Sequence, residues 1–284
     1  MKDDQPSSTA RLIAASLVML SREKSLATTI PDEAVRLGEW LLRSFSGASR
    51  LMLRGLDYQI FRSAVQSIEG LTIPGILHHY VARKATLERL ARMEITRGIR
   101  QIQILGAGFD SLGCRLVREF PELQVREIDH PATQAWKVRG LRECGLANDR
   151  LTFVARDLSN QGSLHDEVVN EPQLWIAEGL LMYFPQDRID SLFEELHRQS
   201  STGNRFAFTH LESTNGRPEF RRGSRLVARW LDQHQESFAW GIQRTQLPEF
   251  LASKKMRSLP IEPLIIQEMT DLNVGEYLVL AESI

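Results

Sequence analysis

From residue 99 onward, short apolar runs of strand length alternate with longer segments of helical period, and this alternation constrains the fold more than any other feature of the chain. Gln101-Ile102-Gln103-Ile104-Leu105 reads as a strand that ends at Gly106. A helical pattern follows over about 111–120, and Pro121 stops it. Val125-Arg126-Glu127-Ile128-Asp129 is a second strand, after which Pro131 is placed to open a helix reaching Gly145. Residues 151–154, 174–177 and 205–209 read as three more strands, separated by helical patterns around 162–170 and 186–200. A helix over 247–254 precedes two candidate strands, 263–267 and 276–281, expected to pair as a hairpin. Parallel strands need long crossovers, and amphipathic helices supply them on both faces. The expected fold is therefore α/β and Rossmann-like, a seven-stranded, mostly parallel sheet with helices on both faces.

Residues 1–98 contain no convincing alternating strand. Ala34, Leu37, Leu41 and Leu42, then Leu87, Leu90 and Ala91, recur at helical spacing, while Gly47, Gly55, Gly70 and Pro74-Gly75 punctuate the stretch. This predicts a helical layer or cap over 1–98 ahead of a core over 99–284. The apolar run from Leu12 to Leu20 lacks the basic start and small-residue cleavage site of a signal peptide, and falls short of the ~20 apolar residues that span a bilayer. It reads as an amphipathic helix that starts near Ser7, Ser8 or Thr9. With a net charge of −1 the chain has no electrostatic pull toward nucleic acid. Two cysteines, Cys114 and Cys144, are too few for a disulfide framework or a cysteine-based metal site. These features predict a cytoplasmic protein with no nucleic-acid or membrane partner and no metal, and leave the oligomeric state open.

The first strand runs into Leu105-Gly106-Ala107-Gly108-Phe109-Asp110. Glycine allows φ > 0 and close approach of a ligand, and the carboxyl end of the first strand is where open α/β sheets hold nucleotide-like cofactors. Tight strand–helix turns also use Gly without any ligand. A dinucleotide would want a third Gly facing its pyrophosphate, but position 111 is Ser and Asp110 would oppose the phosphates. A cofactor without phosphate, such as S-adenosylmethionine, avoids the conflict. Asp129, in Glu127-Ile128-Asp129-His130-Pro131, ends the second strand about 20 residues further on and can accept from both ribose hydroxyls, or can cap the next helix. His130 reads as a turn residue. In Arg156-Asp157-Leu158, Asp157 can accept from the adenine amine while a backbone N–H meets a ring nitrogen, although strand-end Asp is also a common cap. In Ala177-Glu178-Gly179-Leu180-Leu181-Met182-Tyr183-Phe184-Pro185, Glu178 stands at the carboxyl edge of the central strand. There it can pair with the amino group of the cofactor's methionine moiety.

Taken together, Leu-Gly-Ala-Gly-Phe-Asp at 105–110 with Arg115-Leu116, the Glu127-to-Pro131 run, Asp157-Leu158 and Glu178-Gly179-Leu180-Leu181-Met182-Tyr183 resemble the leucine carboxyl methyltransferase family, in its bacterial S-adenosylmethionine-dependent O-methyltransferase branch. The resemblance runs from about residue 80 to 195 and extends weakly through Ser8-Thr9-Ala10 and Phe238-Ala239-Trp240-Gly241-Ile242. It implies that Gly106, with Ala107 and Gly108 in the same turn, lines the cofactor, that Asp129 holds the ribose, Asp157 and Leu158 the adenine, and that Glu178 sits by the methionine moiety. It also implies that Arg83, in Tyr80-Val81-Ala82-Arg83-Lys84, pairs with the cofactor carboxylate, a bidentate task that suits a guanidinium. The chain departs from many bacterial members at Asp110-Ser111-Leu112-Gly113, which keeps the acid but lacks a following Arg, and its N-terminal half diverges from the protein-methylating members.

Methyl transfer from a sulfonium is an in-line displacement, so the enzyme's main task is to bring acceptor and methyl together in a desolvated pocket. A carboxylate acceptor needs no base, whereas an alcohol or phenol calls for one, with Tyr183 and His210 as candidates. The expected partner is a small-molecule acceptor. Residues 211–239 interrupt the alternation at the ligand-binding edge and mix Arg217, Arg221, Arg222, Arg225 and Arg229 with Phe220, Trp230 and Phe238, just ahead of Trp240. They read either as a lid suited to an anionic acceptor or as a solvated helix. Other readings are a non-catalytic S-adenosylmethionine-binding regulatory or scaffolding protein, carboxyl methylation of a protein C-terminus, and an NAD-dependent oxidoreductase, which Ser111 disfavours.

Overall fold

In the computed structural model, described over residues 6–164, 171–199, 203–214, 216–261 and 274–284, five helices precede the first strand. They are α1 (Ser8–Leu20), α2 (Asp32–Phe45), α3 (Gly47–Gly55), α4 (Gln59–Thr72) and α5 (Ile76–Thr96). Ser7 caps α1, its hydroxyl accepting from the Ala10 N–H at 3.1 Å. Then come β1 (Gln101–Leu105), α6 (Leu112–Glu119), β2 (Gln124–Asp129), α7 (Pro131–Glu143), β3 (Leu151–Ala155), β4 (Gln173–Ala177), α8 (Gln186–Arg198) and β5 (Arg205–Leu211). The segment after β5 forms a two-residue hairpin, β6 (Ser213–Thr214) with β7 (Arg217–Pro218), followed by α9 (Arg225–His234). The chain closes with α10 (Leu247–Ser253), β8 (Met256–Leu259) and β9 (Glu276–Ser283).

Seven strands form one sheet in the order β3-β2-β1-β4-β5-β9-β8. The pairs β1–β2, β1–β4, β2–β3 and β4–β5 are parallel, whereas β9 is antiparallel to β5 and to β8. β4 is buried along its whole length, as a central strand covered on both faces must be. One face carries α5, α6 and α7 through Leu87, Leu90, Leu116 and Leu141, and the other carries α8 and α10 through Ile189, Phe193 and Leu251. A further apolar cluster joins α1 to Tyr80, Met182, Leu211 and Phe220, so the N-terminal helices and the segment after β5 pack against the same edge of the sheet.

The hairpin expected at the end of the chain differs in one strand. The candidate strand 263–267 and most of the candidate helix 162–170 lie outside the described residues. The strand that pairs with β9 is β8, whose Met256-Arg257-Ser258-Leu259 has no apolar run because, as an edge strand, it buries only Met256 fully.

Candidate active site

The strand order reverses beside β1, and a cavity opens there at the carboxyl ends of the parallel strands. Its floor is the turn after β1. Gly106 and Gly108 have φ of 63° and 50°, and a Cβ at Gly106 would lie 2.7 Å from Leu180 Cδ1. Both positions therefore favour Gly for backbone reasons. Asp129 stands directly against this turn. Its Oδ2 accepts the Gly108 N–H and its Oδ1 the His130 N–H, each at 2.6 Å. An ionised carboxylate has about four lone-pair sites, so both oxygens keep capacity for a ligand. Burial pushes the Asp129 carboxyl above the ordinary aspartate range, against the downward pull of those two amides.

Asp157 and Leu158 line the adjoining wall. Asp157 Oδ1 accepts the Ser159 N–H at 2.9 Å and the Ser159 hydroxyl at 2.7 Å. Partial burial raises this carboxyl and the two Ser159 bonds outweigh it, leaving it lowered. Glu178 lies on the opposite wall beside two consecutive cations of α5. Arg83 Nε donates to Glu178 Oε1 at 2.8 Å, and Lys84 Nζ lies 3.0 Å from the same oxygen. Lys84 also bonds Asp110, whose Oδ1 accepts the Leu112 N–H at 2.8 Å at the start of α6. Desolvation opposes ionisation of Asp110, but Lys84 and Arg115 hold its carboxyl far below the usual range.

Arg83 is not a solvated helical arginine. It is 7% exposed, and besides Glu178 its Nη1 donates to both oxygens of Glu276 on β9, at 2.8 and 2.7 Å. Sequence reasoning singled out neither Glu276 nor Lys84. Lys84 had an available signal, its place next to Arg83, but Glu276 carries no motif and enters only because β9 lies beside β5.

The roof combines the start of α1 with the end of the segment after β5. Glu236 accepts the backbone N–H groups of Ser8 and Thr9, each at 2.9 Å, and the Thr9 hydroxyl. Its carboxylate thereby satisfies orphan donors of the α1 N-terminus. Of the described residues in 211–239, only Gln235 and Glu236 line the cavity. The expected arginines do not, and Arg221 is paired with Glu212 on the outside. Phe220 and Phe238 instead pack edge to face, centroids 5.4 Å apart, beneath the roof.

The two candidate bases separate. Tyr183 lines the cavity, and burial pushes its phenol well above the ordinary tyrosine value despite a hydrogen bond with Thr9, which disfavours the phenolate that a base would need. His210 is fully buried outside the cavity lining, its Nδ1 3.1 Å from the Leu211 carbonyl and its ring between Trp240 and Tyr277. Burial lowers its pKa. A position at the end of β5 packs this side chain against Trp240 and outside the cavity. Among the described residues there is no group of three or more His, Cys, Asp or Glu able to hold a metal ion. No described helix is long and apolar enough to cross a membrane.

A sheet of this order, with an antiparallel pair at one edge and a glycine turn facing an acidic strand end, is the class I methyltransferase fold. A putative methyltransferase of Thermobifida fusca shares it with a TM-score of 0.59 at 14% identity, over 87% of this chain and 93% of that one. The chain belongs to the leucine carboxyl methyltransferase family, which matches residues 35–197 and so reaches back into α2, beyond the stretch on which the motifs lie. A Streptomyces coelicolor relative, provisionally named an S-adenosyl-L-methionine-dependent methyltransferase, is 34% identical over 45% of this chain and 47% of its own length. A similarly named Mycobacteroides abscessus protein is 25% identical over 88% of this chain and 85% of its own. The chain spans about half the length of the relatives it matches at 34–36% identity.

Proposed function

We propose that the protein is an S-adenosylmethionine-dependent methyltransferase that methylates an oxygen of a small molecule. The observation that carries this reading is the Asp129 carboxylate, held by the Gly108 and His130 amides over a turn whose positive φ and close packing favour glycine. Gly106, Ala107 and Gly108 form the floor. Asp129 receives the ribose hydroxyls, and Asp157 with Leu158 borders the adenine. Glu178 meets the amino group of the methionine end, while Arg83 and Lys84 bring positive charge to its carboxylate. When bound, the cofactor supplies an activated methyl on a sulfonium. The chain's own part is to orient the partners and exclude water, through a roof of α1, Gln235 and Glu236 that suits a small molecule better than a protein C-terminus. Both cations on the cavity wall are already ion-paired, and Asp110, Asp129, Asp157, Glu178 and Glu236 outnumber them. That balance favours a hydroxyl over a carboxylate acceptor, its proton passing to one of these wall carboxylates as the methyl is transferred, and a cytoplasmic location belongs to the same reading.

Calorimetric titration of the full chain with S-adenosylmethionine and with NAD tests the cofactor directly. Binding of the first and not the second is expected. Asp129→Ala should weaken it at least tenfold, since hydrogen bonds to a charged acceptor are worth about 1.5–3 kcal/mol. Wild-type affinity in a folded Asp129→Ala protein would remove the ribose assignment.

A further inference from the structure

Glu276, the first residue of β9, has a side chain with 0% exposure. A buried carboxylate is tolerated only when charges and donors surround it. Three groups do so here. Arg83 Nη1 bridges both oxygens, His79 Nε2 lies 2.9 Å from Oε2, and the Thr209 side chain hydrogen-bonds to it.

Two of those partners lead back to the cofactor cradle. Arg83 continues through Nε to the Glu178 carboxylate at 2.8 Å. Thr209 Oγ1 accepts the backbone N–H of Gly179, also at 2.8 Å. Both arms therefore start at Glu276 and end on consecutive residues of the turn after β4, one on a side chain and one on the backbone. Gly179 has a φ of 60°, and a Cβ there would sit 3.5 Å from Arg83 Nη1 and Nη2, so the guanidinium lies directly against the turn.

We propose that Glu276 is a positioning residue for the methionine end of the cofactor, fixing Arg83 and the Glu178–Gly179 turn in the arrangement that receives its amino and carboxylate groups. This rests on the S-adenosylmethionine reading above. Without the Glu276 charge, Arg83 keeps Glu178 as its one remaining carboxylate partner among those described, and their pairing competes with the ligand. The adenine and ribose contacts, at Asp157 and Asp129 on β3 and β2, are untouched by that change. A residue that only fastened β9 to α5 would, when altered, weaken every ligand alike.

The test is titration of the full chain and its Glu276→Gln variant with two ligands, S-adenosylhomocysteine and 5′-methylthioadenosine, the second lacking the amino-acid end. Glu276→Gln should lose at least about tenfold in affinity for the first while binding the second within about twofold of wild type. Glu276→Asp, which keeps the charge, should recover part of the loss. Equal loss for both ligands, or no loss for either, overturns the proposal. If Glu276→Gln does not fold, Thr209→Val cuts the neutral arm alone and should show the same selective loss, and unchanged affinities for it and Glu276→Asp overturn the proposal. A wild-type protein that binds neither ligand takes the cofactor reading down together with this one. A wild type that binds both, with variants that do not discriminate, removes this inference alone.

Discussion

Lys137 on α7 is 2% exposed and its Nζ lies 2.6 Å from Oε2 of Glu127, itself 1% exposed. Burial raises the Glu127 carboxyl, and Lys137 offsets only part of that rise. The pair sits beneath the glycine turn after β1, with Lys137 Nζ 3.5 Å from the Ala107 carbonyl. Removing one member leaves a buried charge without its partner, so Lys137→Met should lower stability by about 3–5 kcal/mol in denaturant unfolding. Adding Glu127→Leu should restore much of that loss, and a double variant no more stable than the single one would contradict this account. At this scale Asp129 and Glu178 were readable because each stands at a strand end after a recognisable run. Lys137 was not, because a lysine on a helix reads as solvated until the sheet beneath it is known.

The element-scale feature with the clearest consequence is the junction between α1 and the segment that follows β5. The Glu236 carboxylate caps the α1 N-terminus from more than two hundred positions away, and Thr9 and Glu236 border the cavity. Glu236→Gln removes the charge but can still accept hydrogen bonds, so a cost of about 1 kcal/mol is expected. Faster hydrogen exchange at the Ser8 and Thr9 amides, with S-adenosylmethionine affinity held within about threefold, is the expected pattern. Unchanged exchange at those amides would show that the cap does not hold α1. Replacing all of 213–236 would also delete Phe220 from the cluster that it shares with Tyr80 and Met182, so the single substitution isolates the roof better. The segment's presence was legible as a break in strand–helix alternation. Its orientation was not. The arginines suggested an anion-facing surface, but all five are exposed, and on α9 Arg225 and Arg229 lie outside because the helix turns Leu231 inward.

Across the whole molecule, α5, α6, β9 and the turn after β4 meet in one chain of charged and hydrogen-bonded groups running from His79 through Glu276, Arg83, Glu178 and Lys84 to Asp110 and Arg115. Desolvation alone would raise the Glu276 carboxyl, but Arg83 foremost, then His79 and Thr209, hold it far below the ordinary glutamate value of 4.5. A carboxyl depressed by folding contributes stability that is complete above its unfolded pKa and is lost as pH falls toward its folded one. Asp110 acts in the same direction. Thermal stability should therefore decline as pH drops below about 4.5, and the gap in Tm between wild type and Glu276→Gln should be widest near neutrality and narrow on acidification. A gap that stays constant from pH 7 to pH 3 would mean that the ionised carboxylate does not stabilise the fold.

The residue pattern by itself determined the parallel core. Strand–helix alternation, the Gly106–Gly108 turn and the acidic strand ends are local signals, each governed by backbone conformation or by periodicity over a few residues. β8 escaped because an edge strand buries one face at most and leaves little apolar pattern to detect. The tertiary structure alone decided which distant side chains share the cavity. Glu276 and Glu236 acquire their roles from what packs beside them, and a buried carboxylate can be recognised only once the cations and amides that make its burial tolerable have been brought to it.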